Sequence, residues 1–155
     1  MCIRDRFDAV ASLTGVRHSV DYEAQAAIEL EAVADLAASG SYTFGRADAA
    51  GAIDAAPVIT AVCADVLAGE SAGAISMRFH RAVITLVVSE AQRLRGAHGL
   101  HTVGLTGGVF QNTLLVEGCI EALHAADFEV LRHRLVPTND GGLALGQALV
   151  AARRK

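Results

Sequence analysis

The sequence predicts an α/β fold, rich in helices and with a small, mostly parallel sheet, and three observations carry that expectation. Hydrophobic residues, chiefly Ala, Val, Leu and Ile, make up 52 % of the 155 positions and aromatics only 5 %, which suits helices packed over a buried sheet. Long stretches repeat apolar residues at helical spacing, and in the last third two short apolar runs of strand length alternate with them. Each short run leads into a loop that carries a Gly-Gly pair. A chain of this length hides roughly 70 % of its unfolded surface, so a core forms without disulfide staples.

Residues 1–6 alternate charge, lack the apolar core of a signal peptide and are set apart from a domain over residues 7–155. From Phe7, Val10, Leu13 and nearby alanines form a short helix that stops at Gly15. A longer helix is expected over Tyr22 to Ser39: Ala26, Ile28, Leu30, Val33, Ala34 and Leu36 form its stripe, Glu23, Glu29 and Glu31 occupy its earlier half, and Gly40 closes it. Ser41 to Ile53 reads as a loop with room for one short strand. Asp54 is placed as the N-cap of a helix running to Ala68, with Pro57 tolerated in its first turn and Gly69 as its stop.

Ser71 caps the next helix, Ala72 to Arg95, which turns Ile75, Phe79, Val83 and Leu86 inward and leaves Arg78, Arg81, Gln92 and Arg93 for the outside. After Gly96 to Gly99, residues Thr102 to Thr106 have strand length and end in Gly107 and Gly108. Gln111 to Ala126 returns to helical spacing through Leu115, Cys119, Ile120 and Leu123. Phe128 to Val136 alternates as a second strand, Pro137 to Gly142 is a turn, and Leu143 to Ala152 is a final helix. No fixed-period repeat or low-complexity tract interrupts this order.

Several function classes are disfavoured. With 13 basic against 17 acidic residues the net charge is −4, and Lys and Arg cluster only in the tail Arg153, Arg154, Lys155, so no nucleic-acid surface is expected. The apolar run Val83 to Val88, broken by Thr85, is far short of the roughly 20 residues that span a bilayer. Cys2, Cys63 and Cys119 are odd in number and show no C-x-x-C spacing, which points to free thiols in a reducing cytoplasm. His98 and His101 lack metal-ligating partners, His80 reads as a packed or surface histidine, and no H-x-x-x-H, G-x-S-x-G or P-loop lysine occurs.

The two Gly-rich loops hold the chemistry. In a parallel sheet both would emerge at the carboxyl ends of their strands, and each leads into a helix whose N-terminal N–H groups suit an anion. Without a Cβ, the backbone at Gly107 and Gly108, or at Gly141 and Gly142, can approach a phosphate or a nucleoside face. Asn112, one turn into the expected helix, is placed to bond a base or ribose, and Asp140 is the one carboxylate in a Gly-framed turn, suited to a divalent cation. Gly-Gly after a strand and Asn-Asp-Gly are also ordinary turn chemistry, so spacing leaves both readings open. Tyr22, Glu23 and Gln25 open their helix as a polar cluster with either a capping or a ligand-facing role.

Five segments in order, Phe7-Asp8-Ala9-Val10, Tyr22-Glu23-Ala24-Gln25-Ala26-Ala27, Arg78-Phe79-His80, Thr106-Gly107-Gly108-Val109-Phe110-Gln111-Asn112 and Pro137-Thr138-Asn139-Asp140-Gly141-Gly142, resemble the carboxy-terminal part of the hydrogenase-maturation carbamoyltransferases, the HypF family. The resemblance covers the chain from Phe7 onward and implies the second, partial lobe of an actin-like, ribonuclease-H-like ATPase fold. It implies an ATP-dependent enzyme that makes carbamoyl adenylate from carbamoyl phosphate and passes the carbamoyl group to the C-terminal cysteine of a HypE-type partner. In that picture Gly107 and Gly108, with Gly141 and Gly142, sit against the nucleotide, Asn112 supports its adenosine part, Asp140 ligates a divalent metal (magnesium, zinc or iron), and Glu23 and Gln25 are cleft residues.

Departures from the family pattern are informative. The paired histidines that complete the family's metal site, its preceding lobe and its amino-terminal modules are not in this sequence, and Ala24 stands where the family usually has Gly. The resulting expectation is a truncated enzyme, inactive or nearly so alone, with an exposed apolar patch where the other lobe would sit. The alternatives are a stand-alone nucleotide-binding or scaffold domain without catalysis and a tRNA threonylcarbamoyltransferase relative, the latter disfavoured by low basic content and by the wording Phe110-Gln111-Asn112.

Overall fold

The computed structural model describes residues 3–46 and 52–153. Cys2, residues 47–51 of the expected loop, and Arg154 and Lys155 of the basic tail lie outside them. Helix α1 (Ile3–Leu13) and α2 (Gln25–Ala32) pack together, and the two-residue strands β1 (Gly45–Arg46) and β2 (Ile53–Asp54) pair antiparallel. Then come α3 (Ala56–Leu67), α4 (Ala72–His98), β3 (Thr102–Leu105), α5 (Thr113–Ala125), β4 (Glu129–Arg132) and α6 (Leu143–Arg153). The 27-residue α4, about 40 Å long at 1.5 Å per residue, is the axis on which α2, α3 and α5 pack.

The core follows from the apolar stripes. Phe7 and Val10 of α1, Leu30 of α2, Val58 and Val62 of α3, Ile75, Phe79 and Val83 of α4, and Leu115, Cys119 and Leu123 of α5 are all essentially inaccessible. Phe7 meets Phe79 edge to face at 4.9 Å between ring centroids. Gly15 and Gly69 take the left-handed conformation at helix ends, as their positions predict, and Gly99 does so after α4, which runs to His98 rather than stopping at Arg95. Ser71 caps α4 by accepting from the Ala74 N–H at 3.1 Å. Among the described residues, no helix is long and apolar enough to cross a membrane.

Four other elements depart from expectation. The first helix begins at Ile3, taking residues 3–6 into one helix with Phe7. The helix expected over Tyr22 to Ser39 spans only Gln25–Ala32, because tertiary contacts take the backbone beyond it. There the Asp35 N–H donates to the Gly73 carbonyl at 3.0 Å, and a Cβ at Gly73 would lie 2.7 Å from the Val33 carbonyl oxygen, so the chain crosses α4 at its glycine. Arg78 donates to the Ser39 carbonyl and Arg81 to those of Ala38 and Gly40, so neither arginine is turned to open solvent as predicted. Arg78 also binds Asp65 at 2.7 Å and Glu70 at 3.0 Å, and Tyr42 donates to Asp65 at 2.6 Å.

The third departure is at α3, where Ala55 is the N-cap residue and Asp54 accepts from the Ala56 N–H from one position further out. The fourth is the second strand of the last third, which spans Glu129–Arg132 rather than the whole of Phe128 to Val136. β3 and β4 pair in parallel, with Thr102 opposite Glu129 and Leu105 opposite Arg132. The described fold is a helix-rich α/β unit with a small parallel sheet.

Candidate functional site

Parallel pairing sends β3 and β4 out at the same end of the sheet, so the loops that follow them meet. The Gly107 N–H donates to the Thr138 carbonyl at 2.9 Å, and a Cβ on Gly108 would come within 3.9 Å of Asn139 Cβ. Gly107, Gly108, Asp140, Gly141 and Gly142 therefore belong to one region, as the sequence predicts from the two loops.

The glycines in the two loops differ in what surrounds them. Gly107 sits at φ 103°, where side chains are disfavoured, and nothing lies within 4 Å of a Cβ there. Gly108 faces similar open space apart from Asn139. At Gly141 a Cβ would lie 3.1 Å from Asn139 Oδ1 and 3.2 Å from Pro137 Cγ, and at Gly142 it would lie 2.9 Å from the Pro137 carbonyl. Gly141 and Gly142 thus serve the folding of their own turn, whereas Gly107 and Gly108 leave backbone open to something outside the chain.

That opening divides two cavities. Gly107 lines one of about 870 Å³ together with Thr106, His133, Thr138, Asp140 and Leu149. Gly108 lines another of about 290 Å³ with Phe7, Ala24, Glu31 and Asn112. The short 3₁₀ turn Gly108–Gln111 starts between them, and the N–H groups at its beginning have no acceptor within the turn. Ala24, on the rim of the smaller cavity, holds a left-handed backbone at φ 65°.

Helix α5 is less available to an anion than the sequence predicts. Glu31 Oε1 accepts from the N–H groups of Thr113 at 2.6 Å and Leu114 at 3.1 Å, so a carboxylate from α2 already occupies that helix start. Asn112 lies before α5 as its N-cap, and not one turn inside it: its Oδ1 accepts from the Leu115 N–H at 2.7 Å. Its Nδ2 lies 2.9 Å from His80 Nε2, so its side chain is held at the cavity wall by two structural bonds.

Of the packed and surface readings that the sequence leaves open for His80, the structure shows the packed one, fully buried and against Phe7. The Asn112 amide nitrogen can only donate, so Nε2 accepts and Nδ1–H donates to the Ser76 carbonyl at 2.8 Å. Burial away from water pushes the imidazole below its ordinary value of 6.5, with the Ser76 carbonyl and Glu31 opposing. Sequence reasoning gave Glu31 and His80 no part in the site, because their partners lie 82 and 32 positions away.

Gln25 and Glu23 line neither cavity. Gln25 is buried; its Oε1 accepts from the Asp21 N–H at 2.7 Å and its Nε2 donates to Glu29 at 2.9 Å. Glu29 in turn holds Arg17 through two bonds of 2.8 and 2.6 Å, which draws its carboxyl below the usual range. This cluster ties down the entry to α2 from the loop before it, a structural use of Gln25 that is not the helix cap the sequence offered.

Asp140 is exposed, and turn chemistry does not use its side chain: Asn139 Oδ1 accepts from the Gly141 N–H at 3.1 Å instead. Among the described residues no group of three or more His, Cys, Asp or Glu side chains is arranged to hold a metal ion, so these residues do not form a metal cage. Two buried oxygens at motif positions, Asp8 Oδ1 on α1 and Thr138 Oγ1 in the second loop, lack a partner among the described residues. The sequence reading gave neither a role, although Asp8 lies in the first of the five quoted segments.

Residues 6–147 match the family model described as carbamoyltransferase, Kae1-like domain, second subdomain. The chain is 38 % identical over 148 residues to the carbamoyltransferase HypF of Rhizobium leguminosarum bv. viciae, covering 94 % of this chain and 19 % of that protein. Against the Rhodobacter capsulatus carbamoyltransferase HypF it is 40 % identical over 151 residues, covering 96 % and 19 %. The chain thus spans about a fifth of the length of these curated relatives. A crystal structure of full-length HypF in a phosphate- and nucleotide-bound form superposes with a TM-score of 0.88 at 38 % identity, over 94 % of this chain and 23 % of that one. The T. kodakarensis HypF crystal structure gives 0.80 at 25 % identity, over 96 % and 19 %. The chain belongs to the HypF carbamoyltransferase family.

Proposed function

We propose that this chain forms one wall of the nucleotide cleft of an ATP-dependent carbamoyltransferase. The observation that carries this reading is the open backbone at Gly107 and Gly108, set between cavities of about 870 and 290 Å³. Adenosine lies on the Asn112 side and the phosphates on the Asp140 side, with the first N–H groups of the 3₁₀ turn between them. Asp140 supplies one carboxylate to a divalent cation whose remaining ligands come from the rest of the longer protein. Preorganised N–H donors stabilise developing charge on phosphoryl groups, and the chain's contribution is to position rather than to attack.

The larger reaction follows the family expectation: carbamoyl phosphate and ATP give carbamoyl adenylate, and the carbamoyl group moves to the C-terminal cysteine of a HypE-type protein in nickel–iron hydrogenase maturation. Helix α6 supports a further surface outside the chain, since none of its residues is buried while Leu143, Leu145, Leu149 and Val150 are exposed. The free thiols Cys63 and Cys119 suit the reducing cytoplasm; burial pushes Cys119 up to about 12, so it serves as packing and not as a carbamoyl acceptor.

Calorimetry with ATP and magnesium tests the reading. Weak binding is expected, reduced by Asp140→Ala and by Gly108→Val, with carbamoyl transfer only when the remainder of the family protein is supplied. Tight, magnesium-independent binding untouched by either substitution would refute it.

A further inference from the structure

Leu105 and Arg132 are the last paired residues of β3 and β4, and the next two residues continue the pairing through side chains: His133 Nε2 lies 3.0 Å from Thr106 Oγ1. Both side chains line the 870 Å³ cavity that also holds Gly107 and Asp140. A second observation points to a polar occupant at this end. Thr138 Oγ1, in the same lining, is buried without a hydrogen-bond partner, although its residue's carbonyl is the one that receives the Gly107 N–H. Two hydroxyls therefore flank Gly107, at which a Cβ would meet nothing within 4 Å.

A hydroxyl donates one hydrogen bond, and the group that donates to it decides where that bond goes. We propose that His133 is a positioning residue: its Nε2–H donates to Thr106 Oγ1 and so holds the hydroxyl with its O–H turned toward a phosphoryl oxyanion beside Gly107. With Nε2 unprotonated the bond runs the other way, and the Thr106 proton is spent on the imidazole. The Nε2–H tautomer thus makes Thr106 a donor toward an anion, alongside the amide N–H groups of the 3₁₀ turn. The inference rests on the nucleotide reading and deepens it by assigning the phosphate end of the cleft to a His–Thr pair.

The test is calorimetry on the full chain with two probes, ATP with magnesium and adenosine, which lacks the phosphates. Thr106→Val and His133→Phe each weaken ATP binding about tenfold, the usual scale for a hydrogen bond to a charged group, and leave adenosine binding unchanged. Because the two act as one unit, the double variant is no weaker than either single one. His133→Gln, whose amide nitrogen stands near the place of Nε2, recovers most of the loss. Urea midpoints within error of the parent exclude a folding cause.

Additive losses, or equal weakening of adenosine and ATP, overturn the inference. So does unchanged ATP affinity in both variants; if Gly108→Val still abolishes binding, the nucleotide reading survives without it. Absence of ATP binding by the parent chain overturns both.

Discussion

The amide of Gly107 donates to the carbonyl of Thr138 at 2.9 Å, tying the loop after β3 to the loop after β4. Both loops leave the same end of a parallel pair, so one short bond suffices to bring sequence positions 31 apart into a single wall. Divergent loops would leave the two Gly-Gly segments with nothing in common.

Gly107 and Gly108 separate folding from binding. At Gly107 an alanine meets no neighbouring atom but must adopt φ 103°, so Gly107→Ala costs about 1–3 kcal/mol through backbone strain. Gly108 needs no such backbone, and a Cβ there meets only Asn139 at ordinary contact distance. Gly108→Val therefore keeps stability within about 1 kcal/mol while blocking the opening. Urea denaturation alongside nucleotide titration reads both effects; equal destabilisation by the two substitutions would contradict this division.

His80 makes stability pH-dependent. Its folded-state value is depressed below 6.5, mainly by burial, so the unfolded chain takes up the proton first as pH falls. Its contribution is complete above pH 6.5 and is lost progressively below it. His80→Leu removes this part of the acid limb, and at neutral pH it costs about 1–3 kcal/mol by leaving the Asn112 amide unpaired. Urea curves at pH 7.5 and 5.5 for parent and variant measure the difference, and parallel losses in the two proteins would rule the assignment out.

Glu31 fastens α2 to the start of α5. Glu31→Ala strips the Thr113 and Leu114 N–H groups of their acceptor and lowers stability by about 1–2 kcal/mol. Glu31→Gln keeps an oxygen acceptor and loses less. Hydrogen exchange at Thr113 and Leu114 should speed up in the alanine variant; unchanged protection there would show that another group caps the helix.

Ala24 holds a conformation that favours glycine, at φ 65° on the rim of the smaller cavity. Relief of that strain outweighs the added freedom of the unfolded chain, so Ala24→Gly raises stability by about 0.5 kcal/mol. Thermal denaturation should show a slightly higher midpoint, and a drop would mean that the Ala24 methyl contributes packing that outweighs its strain.

Local signals predicted much of this architecture. Gly15 and Gly69 end helices, Ser71 caps one, and the Gly-Gly loops meet because both follow strands of one parallel pair. What local signals could not carry was decided at a distance. The helix pattern runs on past Ala32, but Arg78 and Arg81 bind the carbonyls of residues 38–40 from 39 to 43 positions later in the chain, and Gly73 draws the chain across α4. Asn112 looks like a helix residue with a free amide until the 3₁₀ turn before it makes it a cap and His80 binds its nitrogen. Glu31 carries no sequence signal at all, since its meaning depends on α5 packing beside α2.

The most direct test of the shared wall is residue-resolved amide NMR of the chain titrated with ATP and magnesium. The largest shifts should fall on Gly107, Gly108 and Val109 in the first loop and on Asn139 to Gly142 in the second, in one saturable process. Shifts confined to one loop, or centred on Arg132 and Arg134 with both Gly-Gly segments silent, would contradict a nucleotide held between them.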